Sequence, residues 1–399
     1  MHVIVLGAGL AGISTAYYLA ARGARVTVVE RQSDVGLGAS FGNAAQLSYS
    51  YTDSLATPAF LRRLPRMIAN LDHATRVRLD PRVIGWGLRF IRNCSSRKAT
   101  ENTLTLLDTA LRSAELMDAI RADTDFDFSH RPAGKLVLIS EAGDIPKAEE
   151  LTALKKQHGC DVEMLTPDEA RSVEPAVDAL AEPFAAAVYS KSDEVADSYL
   201  FLKGMREHLE QSGQVEFVFG ESVSRLVRKN GSISGVAGDS ERQADAVVVA
   251  AGAWSKELLA DVGVQANVYP VRGYSVTLPP GEGAPSASIT SLKHRVAISR
   301  IDTRLRLTGF ADFRGFDTSK DDQRIAELIT VGKRLAPTAA HYDAEPTRWG
   351  GFRPMTPDGM PLVGGTRVPG LYLNTGHGML GWTLACATGD AAASAVMGE

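Results

Sequence analysis

The amino-acid sequence predicts an α/β protein built around a parallel β-sheet, and two observations support this prediction. An unbroken apolar run at residues 3–6 leads through a glycine-rich turn into a stretch of helical composition, and a β-rich run follows at residues 25–30. Apolar runs that end in turns of small residues recur at residues 246–255 and 371–388. Strands that are buried on both faces of a parallel sheet have this unbroken apolar character.

Length and composition limit the possible classes of protein. A chain of 399 residues predicts two or three compact units, and 44% hydrophobic with 23% charged residues is ordinary for a globular protein. The net charge of −4 argues against a nucleic-acid partner, because no overall positive field attracts phosphate. Cys94, Cys160 and Cys386 are widely scattered, so we expect no disulfide scaffold, no metal site and a reducing cytoplasmic location.

The first forty residues indicate a dinucleotide-binding βαβ unit. In its turn, Gly7 permits the tight bend, Gly9 lets a pyrophosphate approach the backbone, and Gly12 lets the helix pack closely on the strand. The free N–H groups of the helix N-terminus favour phosphate. Glu30 ends the second strand, where a carboxylate accepts hydrogen bonds from a ribose. The predicted cofactor-binding residues of this unit are Gly7, Ala8, Gly9, Leu10, Ala11, Gly12, Glu30 and Arg31.

Two further segments favour a flavin over a nicotinamide cofactor. Residues 38–46 follow the second strand, and their small side chains let the backbone run beside a cofactor while Ser40 and Asn43 supply short polar groups. After the apolar run at 246–249, Ala251 and Gly252 form a turn without bulky side chains. The predicted cofactor-binding residues here are Ser40, Asn43, Ala44, Ala45, Gln46, Val223, Ala251 and Gly252.

The segment at 371–397 supplies a third indication of flavin. A strand, a glycine-rich turn and a long helix of small residues succeed one another, so a second helix N-terminus is aimed into the protein. Pointed at an isoalloxazine, this dipole would stabilise the anion that forms on reduction, and a nicotinamide enzyme needs no such element. The predicted contacts are Gly376, His377, Gly378, Met379, Leu380, Gly381, Trp382 and Thr383.

On these segments the chain resembles the D-amino-acid oxidase superfamily of FAD oxidoreductases, and within it the bacterial D-amino-acid dehydrogenases. Ala45 and Tyr49 depart from the glycine and proline that close relatives tend to have at these positions. The motifs that carry the resemblance are GAGLAG, ASFGNAAQLS, YPVRGYSVTLP, GFRPMTPDGMPLVG and NTGHGMLGWTLACATG.

The resemblance implies a Rossmann-type FAD-binding domain interrupted by a largely antiparallel substrate domain. Period-two alternation near residues 274–278, 296–300 and 304–308 agrees with such a sheet. We expect the FAD-binding domain at residues 1–53, 191–263 and 346–399, and the substrate domain at residues 54–190 and 264–345.

The resemblance also assigns a role to Arg353, and the types and positions of three further residues make them candidates for the site. Arg353 of the GFRPMTP motif would hold the substrate carboxylate through two hydrogen bonds, although an arginine paired with a nearby acid such as Asp358 is the alternative. Tyr274 and Tyr51 are weaker candidates for contacting that carboxylate or covering the pocket, against the alternative of core tyrosines. His377 is placed beside the flavin, where a contact or structural role is favoured over proton transfer.

The implied reaction is hydride transfer from Cα of a D-amino acid to N5 of noncovalently bound FAD. The imine then hydrolyses to a 2-oxo acid and ammonia, and the electrons pass to a quinone or another acceptor of the respiratory chain. Four alternatives stay open: a cyclic imino-acid dehydrogenase acting for example on cis-4-hydroxy-D-proline, a glycine/sarcosine-type oxidase, a non-catalytic flavin-binding protein, and a nicotinamide dehydrogenase.

Residues 60–98 contain ten basic and two acidic residues, interleaved with large apolar side chains. An amphipathic helix of this kind can lie in a membrane interface, or it can bury its apolar side in the protein and expose its arginines to water. Because the dehydrogenases that the chain resembles deliver electrons to a membrane quinone, we predict reversible contact with the inner face of the plasma membrane through this segment.

Overall fold

The structure is a computed structural model, and it describes all 399 residues. The helices are α1 (Leu10–Ala21), α2 (Pro58–Ile68), α3 (Pro81–Asn93), α4 (Ser96–Asp123), α5 (Ile145–Gln157), α6 (Pro167–Val173), α7 (Ser198–Gln211), α8 (Ser255–Ala260), α9 (Asp321–Leu335) and α10 (Gly381–Met397). The strands are β1 (His2–Leu6), β2 (Arg25–Glu30), β3 (Gln46–Leu47), β4 (Lys135–Ile139), β5 (Val162–Leu165), β6 (Ala186–Ser190), β7 (Glu194–Val195), β8 (Val215–Phe219), β9 (Val223–Lys229), β10 (Ser232–Gly238), β11 (Glu241–Gln243), β12 (Ala246–Val249), β13 (Tyr269–Leu278), β14 (Ser288–Ser291), β15 (Val296–Ile301), β16 (Arg304–Asp312), β17 (Thr347–Met355), β18 (Leu362–Gly365) and β19 (Leu371–Thr375).

A six-stranded sheet in the order β18-β19-β12-β1-β2-β8 contains the predicted parallel strands. β1 lies at its centre, parallel to β12 on one side and to β2 on the other. Val3, Ile4 and Val5 are completely buried because both faces of the sheet are covered. The α/β fold class predicted from the apolar runs is therefore confirmed.

Different layers cover the two faces of this sheet. On one face, α1, α7 and α10 form a continuous core with α4, to which Leu106, Ala110 and Met117 contribute. On the other face lie α8 and a three-stranded sheet in the order β11-β10-β9. We expected α4 in the substrate domain, but its apolar stripe packs against the helices of the six-stranded sheet.

An eight-stranded sheet in the order β17-β13-β16-β15-β14-β4-β6-β5 forms the second unit. Its neighbours pair antiparallel, except for the parallel pair β4 and β14. β17 pairs with β13 along its whole length, from the pair of Tyr269 with Met355 to the pair of Thr277 with Thr347. The start of the segment 346–399, which we expected in the FAD-binding domain, therefore belongs to this sheet and not to the six-stranded one. Pro354 is tolerated because β17 is an edge strand.

The two faces of the eight-stranded sheet have different neighbours. One face packs against α9 through Tyr274, Val276, Leu307 and Leu328. The opposite face carries the alternate residues of the same strands and closes a large cavity. Side chains that are adjacent in a strand therefore point into different environments.

The basic segment forms α2 and α3, which divide its apolar residues between two sides. Trp86 and Phe90 pack inward against Tyr269 and Met355. Other apolar side chains point to the exterior, and Leu71 and Leu88 remain 70% and 57% exposed. None of the helices combines the length and the apolar character that crossing a bilayer requires.

Candidate functional site

One cavity of about 1550 Å³ lies between the six-stranded and the eight-stranded sheet. It exceeds the roughly 300–1,000 Å³ of common ligand pockets, so it has room for a large cofactor together with a substrate. Its walls include the β1–α1 turn, the loop at residues 36–48, the N-terminus of α10 and the inner side of α2.

The glycine turn after β1 has the geometry of a dinucleotide cradle. Gly7 has φ +106°, and a Cβ there would lie 2.7 Å from the Ala250 carbonyl oxygen. A Cβ on Gly12 would lie 1.9 Å from the Gly7 carbonyl oxygen, so only glycine lets α1 pack this closely. Gly9 faces the cavity, where the only protein atom within 4 Å of its Cβ position is Ser40 Oγ, at 3.4 Å. Ala8 and Gly12 lie behind the cavity wall and shape the turn without lining it.

Glu30 is held against this turn by two backbone hydrogen bonds. Its Oε2 accepts from the Ala8 N–H at 2.8 Å and its Oε1 accepts from the Gln32 N–H at 2.9 Å. The adjacent Arg31 guanidinium stacks 3.6 Å from the centre of the Trp254 ring. Both residues line the cavity, as do Val223, Ala251 and Gly252 at the same end.

The loop at residues 38–46 runs along the cavity with a constrained backbone. Ser40 Oγ accepts from the Leu10 N–H at 3.3 Å, beside the N-terminus of α1. Asn43 Oδ1 accepts from the Ala45 N–H at 2.8 Å, so this oxygen supports the loop and is not free for a cofactor. Ala45 is buried with φ +54°, a left-handed conformation that glycine adopts more readily than alanine.

The turn before α10 brings a second helix N-terminus to the cavity. Gly376 and Gly378 have φ values of +84° and +56°, and Leu380 at the N-cap offers no side-chain hydrogen bond to the first turn. The dipole and the free N–H groups of α10 are thus available to a ligand. Other residues of this turn have packing roles as well, since Trp382 Nε1 donates to the Ala196 carbonyl and Thr383 Oγ1 accepts from the Ser48 N–H.

Arg353 places a half-buried guanidinium at the opposite wall of the cavity. Its Nη1 donates to the Phe310 carbonyl oxygen at 2.6 Å, and its Cζ packs so closely over Gly273 that a Cβ there would be 2.5 Å away. Burial lowers the pKa of Arg353 to about 10. The alternative partner, Asp358, instead accepts from the Met360 N–H, so Arg353 has no carboxylate partner within the protein.

His377 is held in an uncharged form next to α10. Its Nε2 lies 2.9 Å from Thr388 Oγ1, and burial lowers the pKa of the imidazole to about 4. A histidine with this pKa is neutral at physiological pH and already hydrogen bonded, which favours a structural or contact role over proton transfer.

The two predicted tyrosines lie in different places. Tyr274 is buried on the α9 face, where its hydroxyl donates to Asp312 Oδ2 at 3.0 Å, so its placement in the site was wrong. The alternation of β13 turns Tyr274 away from the face that carries Arg353. Tyr51 does line the cavity, with Lys135 Nζ 4.5 Å from the centre of its ring.

Lys135 is a cavity residue that the sequence analysis missed. Its ammonium donates to Gln46 Oε1 at 2.7 Å and to Ser48 Oγ at 2.8 Å, and burial lowers its pKa to about 8. The sequence signal for it was a lysine at the start of an apolar strand. A lysine is rarely buried without a partner, so such a position indicates polar groups nearby.

Comparison with known proteins identifies the family. The family model described as DAO, FAD dependent oxidoreductase, matches residues 2–395. The chain belongs to this family of FAD-dependent oxidoreductases. It is 35% identical over 404 residues to the D-amino acid dehydrogenase of Vibrio vulnificus, covering 100% of this chain and 96% of that protein. It is 38% identical over 400 residues to D-amino acid dehydrogenase 2 of Ralstonia nicotianae, covering 96% and 94%.

Solved structures of similar fold agree with membership of this oxidoreductase family. Glycine oxidase from Geobacillus kaustophilus superposes with a TM-score of 0.77 at 22% identity over 100% of this chain and 94% of that one. L-proline dehydrogenase from P. horikoshii superposes with a TM-score of 0.75 at 18% identity, covering 98% and 92%. At these identities the similarity establishes the fold alone.

The cavity walls of this FAD-dependent oxidoreductase fit its cofactor. Gly9 leaves open space beside the N-terminus of α1, Glu30 lies at the end of β2, and α10 directs an uncapped N-terminus into the same cavity. These features suit a pyrophosphate, a ribose and an electron-accepting ring, respectively.

Proposed function

We propose that this protein oxidises D-amino acids to 2-oxo acids and ammonia. The observation that carries the proposal is Arg353, a half-buried guanidinium that faces the cavity and forms no ion pair within the protein. An unpaired buried charge is costly, and a substrate carboxylate would offset that cost through two parallel hydrogen bonds. The D-amino acid substrate class is inferred from the names of the relatives at 35–38% identity.

In the proposed mechanism the protein positions the substrate more than it exchanges protons with it. When bound, FAD would supply the oxidising chemistry that removes a hydride from Cα. Arg353 anchors the carboxylate and thereby orients the Cα–H bond, and its close packing on Gly273 limits its own movement. The amine reacts in its neutral form, and the resulting imine takes up water to release the 2-oxo acid and ammonia. His377, neutral and bonded to Thr388, takes no part in proton transfer in this mechanism.

We further propose that the electron acceptor is a membrane quinone and that α2 and α3 contact the bilayer. Apolar side chains on the outer side of these helices, among them Ile68 of α2 and Leu88 of α3, are exposed, whereas Phe60 and Met67 on the inner side of α2 line the cavity. The same two helices therefore connect the exterior with the cavity. Each exposed arginine near an anionic leaflet contributes roughly 1 kcal/mol.

The substrate proposal is tested by a turnover screen over D- and L-amino acids, glycine and cyclic imino acids, with oxygen and a quinone analogue as alternative acceptors. We expect D-amino acids and the quinone to give the highest kcat/KM. Arg353→Lys should lose roughly 30-fold or more in kcat/KM while it retains FAD, because a buried charged partner is worth about 2–5 kcal/mol. Arg348→Ala, at an exposed position of the same strand, is the matched control. Normal kcat/KM in the Arg353 variant would contradict the carboxylate assignment.

The membrane proposal is tested by co-sedimentation with vesicles of phosphatidylglycerol or phosphatidylcholine at low and high salt. We expect binding to the anionic vesicles that salt reverses and that Leu88→Asp abolishes. Val173→Asp replaces an exposed apolar residue far from α2 and α3 in the chain and should leave binding unchanged. Equal recovery in the supernatant with both lipids at low salt would refute the proposed contact.

Noncovalent attachment of FAD is part of the same proposal. Cys386 is completely buried inside α10, and burial raises the pKa of its thiol to about 12, so it is a poor nucleophile. Acid precipitation should release all of the flavin into the supernatant. A precipitate that stays yellow would show covalent attachment.

A further inference from the structure

The face of the eight-stranded sheet that closes the cavity is ordered in rows that run across its strands. The first row supports the cofactor loop. Ser299 and Arg306 are direct partners in the register of β15 and β16. Ser299 Oγ accepts from Gln46 Nε2 at 3.0 Å, and Arg306 Nη1 donates to the Asn43 carbonyl oxygen at 3.2 Å.

A later row carries the contact with Arg353. Phe310 lies four residues after Arg306 on β16, and its carbonyl oxygen accepts from Arg353. Between these two contacts on β16, Leu307 packs on the α9 side, whereas Thr308 faces the cavity. Thr308 therefore lies in the space between the cofactor loop and the proposed carboxylate anchor.

The middle row occupies this space. Its members pair directly across the strands and all line the cavity; in order they are Val188, Val137, Thr290, Ala297 and Thr308. Ala297 stands between the two threonines, so a short side chain is flanked by a hydroxyl-bearing side chain on either side. With two strand spacings between them, the threonine backbones are about 10 Å apart.

The two threonines have no hydrogen-bond partner for their hydroxyl groups. Neither Thr290 Oγ1 nor Thr308 Oγ1 is bonded within the protein, and Thr308 is only 6% exposed. Nearly all buried hydroxyls in proteins have a partner, so each of these two suits a ligand that supplies one. A rotation of about 120° about Cα–Cβ, to another staggered rotamer, moves the hydroxyl to the position of the methyl and the methyl to that of the Cβ hydrogen, so that the hydroxyl can face the cavity.

We propose that Thr290, Ala297 and Thr308 form the pocket for the substrate side chain and select a short, neutral side chain that carries a hydrogen-bonding group. This inference rests on the proposed function of Arg353. Thr308 precedes Phe310 by two residues, or about 7 Å along the strand, which suits a small amino acid whose carboxylate is bonded to Arg353. The row itself contains no charged residue, so its surface suits a neutral side chain.

The test compares D-threonine with D-valine, two substrates of the same shape that differ by one hydroxyl. In Thr308→Val and Thr290→Val, kcat/KM for D-threonine relative to D-valine should fall about 5- to 10-fold, mainly through KM. Thr308→Ser, which keeps the hydroxyl, should restore the wild-type ratio. Thr330→Val, at an exposed position of α9, is the matched control and should not change it. FAD content and circular dichroism establish that each variant is folded.

Substrate size provides a second measurement. Ala297→Leu fills the centre of the row, so it should reduce kcat/KM for D-threonine and D-valine at least 10-fold while affecting D-alanine much less. If both Thr→Val variants keep the wild-type ratio of kcat/KM for D-threonine to kcat/KM for D-valine, the assignment of the hydroxyls is overturned. If Ala297→Leu reduces kcat/KM equally for D-threonine, D-valine and D-alanine, the pocket is overturned. Wild-type protein without turnover of any D-amino acid would instead contradict the proposed function itself.

Discussion

The two sheets that enclose the cavity present their functional groups in different ways. The six-stranded sheet offers backbone N–H groups and glycine turns at the ends of its strands, as at Gly9 and at the start of α10. The eight-stranded sheet offers side chains from one of its faces, as at Arg353 and Lys135. A turn is a local feature of a few consecutive residues, whereas a sheet face depends on the register between strands far apart in the chain.

The largest effect is expected from a side chain added to the first glycine turn. Gly12→Ala places a Cβ 1.9 Å from the Gly7 carbonyl, so we expect a loss of about 3 kcal/mol or more in unfolding free energy together with loss of FAD. Gly9→Ala meets only Ser40 Oγ at 3.4 Å and should keep the fold while weakening FAD binding. Urea unfolding and the flavin content of purified protein measure both effects. If Gly12→Ala were as stable as wild type, the turn would not be the rigid local feature described above.

A smaller effect is expected from the uncharged histidine of the second turn. Burial lowers the pKa of His377 to about 4, against about 6.5 when unfolded, so between these values only the unfolded chain binds the proton. Stability therefore falls on acidification through this window, by about 2 kcal/mol between pH 6.5 and 4.5. His377→Gln should lose less stability over the same interval, as measured by urea unfolding at both pH values. Parallel losses in the two proteins would contradict the low pKa.

Substitution of Tyr274 tests whether strand alternation separates the two faces of the eight-stranded sheet. Tyr274→Phe removes the hydrogen bond to Asp312 on the α9 side and should cost about 1 kcal/mol of stability. The KM for D-amino acids should not change, because this side chain does not line the cavity. A KM raised as strongly as in the Arg353 variant would show that both residues act in one site.

The smallest effect concerns the loop between the two sheets. Ala45 has φ +54°, so Ala45→Gly relieves backbone strain. Because the greater entropy of glycine in the unfolded chain offsets part of this relief, we expect the free energy of unfolding to rise by only about 0.5 kcal/mol. The adjacent Ala44→Gly has no strain to relieve and should destabilise the protein. Thermal unfolding of the two variants under identical conditions distinguishes them, and equal shifts would contradict the strain.

Features with a local origin were predicted well from the sequence. The apolar run at residues 135–139 predicts a strand, and β4 has these bounds. Amphipathic spacing predicts helices over residues 145–158 and 104–121. α5 ends at Gln157, one residue before the predicted end, and α4 begins earlier than predicted, at Ser96, because Ser95 caps it by accepting from the Lys98 N–H. Both glycine turns lie at the cavity, since glycine spacing reports the backbone geometry of the same few residues.

Features that depend on register were not predicted. The motif around Arg353 was assigned with the cofactor domain, yet its strand pairs with β13 about eighty residues earlier in the eight-stranded sheet. Tyr274 was a weaker candidate for the substrate carboxylate, with a core tyrosine as the alternative, and it lies in the core because only its alternate neighbours, such as Gly273, share the face of Arg353. Single-sequence patterns show that a strand alternates, but not which side of it faces the ligand.

The position of β1 at the centre of the six-stranded sheet has a consequence for biosynthesis. Its partner β2 follows almost at once, but its other partner, β12, begins only at Ala246, and α10, which packs on α1, begins at Gly381. During translation the free edge of β1 and the apolar side of α1 therefore stay uncovered until most of the polypeptide has been synthesised. Such a high contact order implies slow folding with an exposed intermediate, for which chaperones are suited.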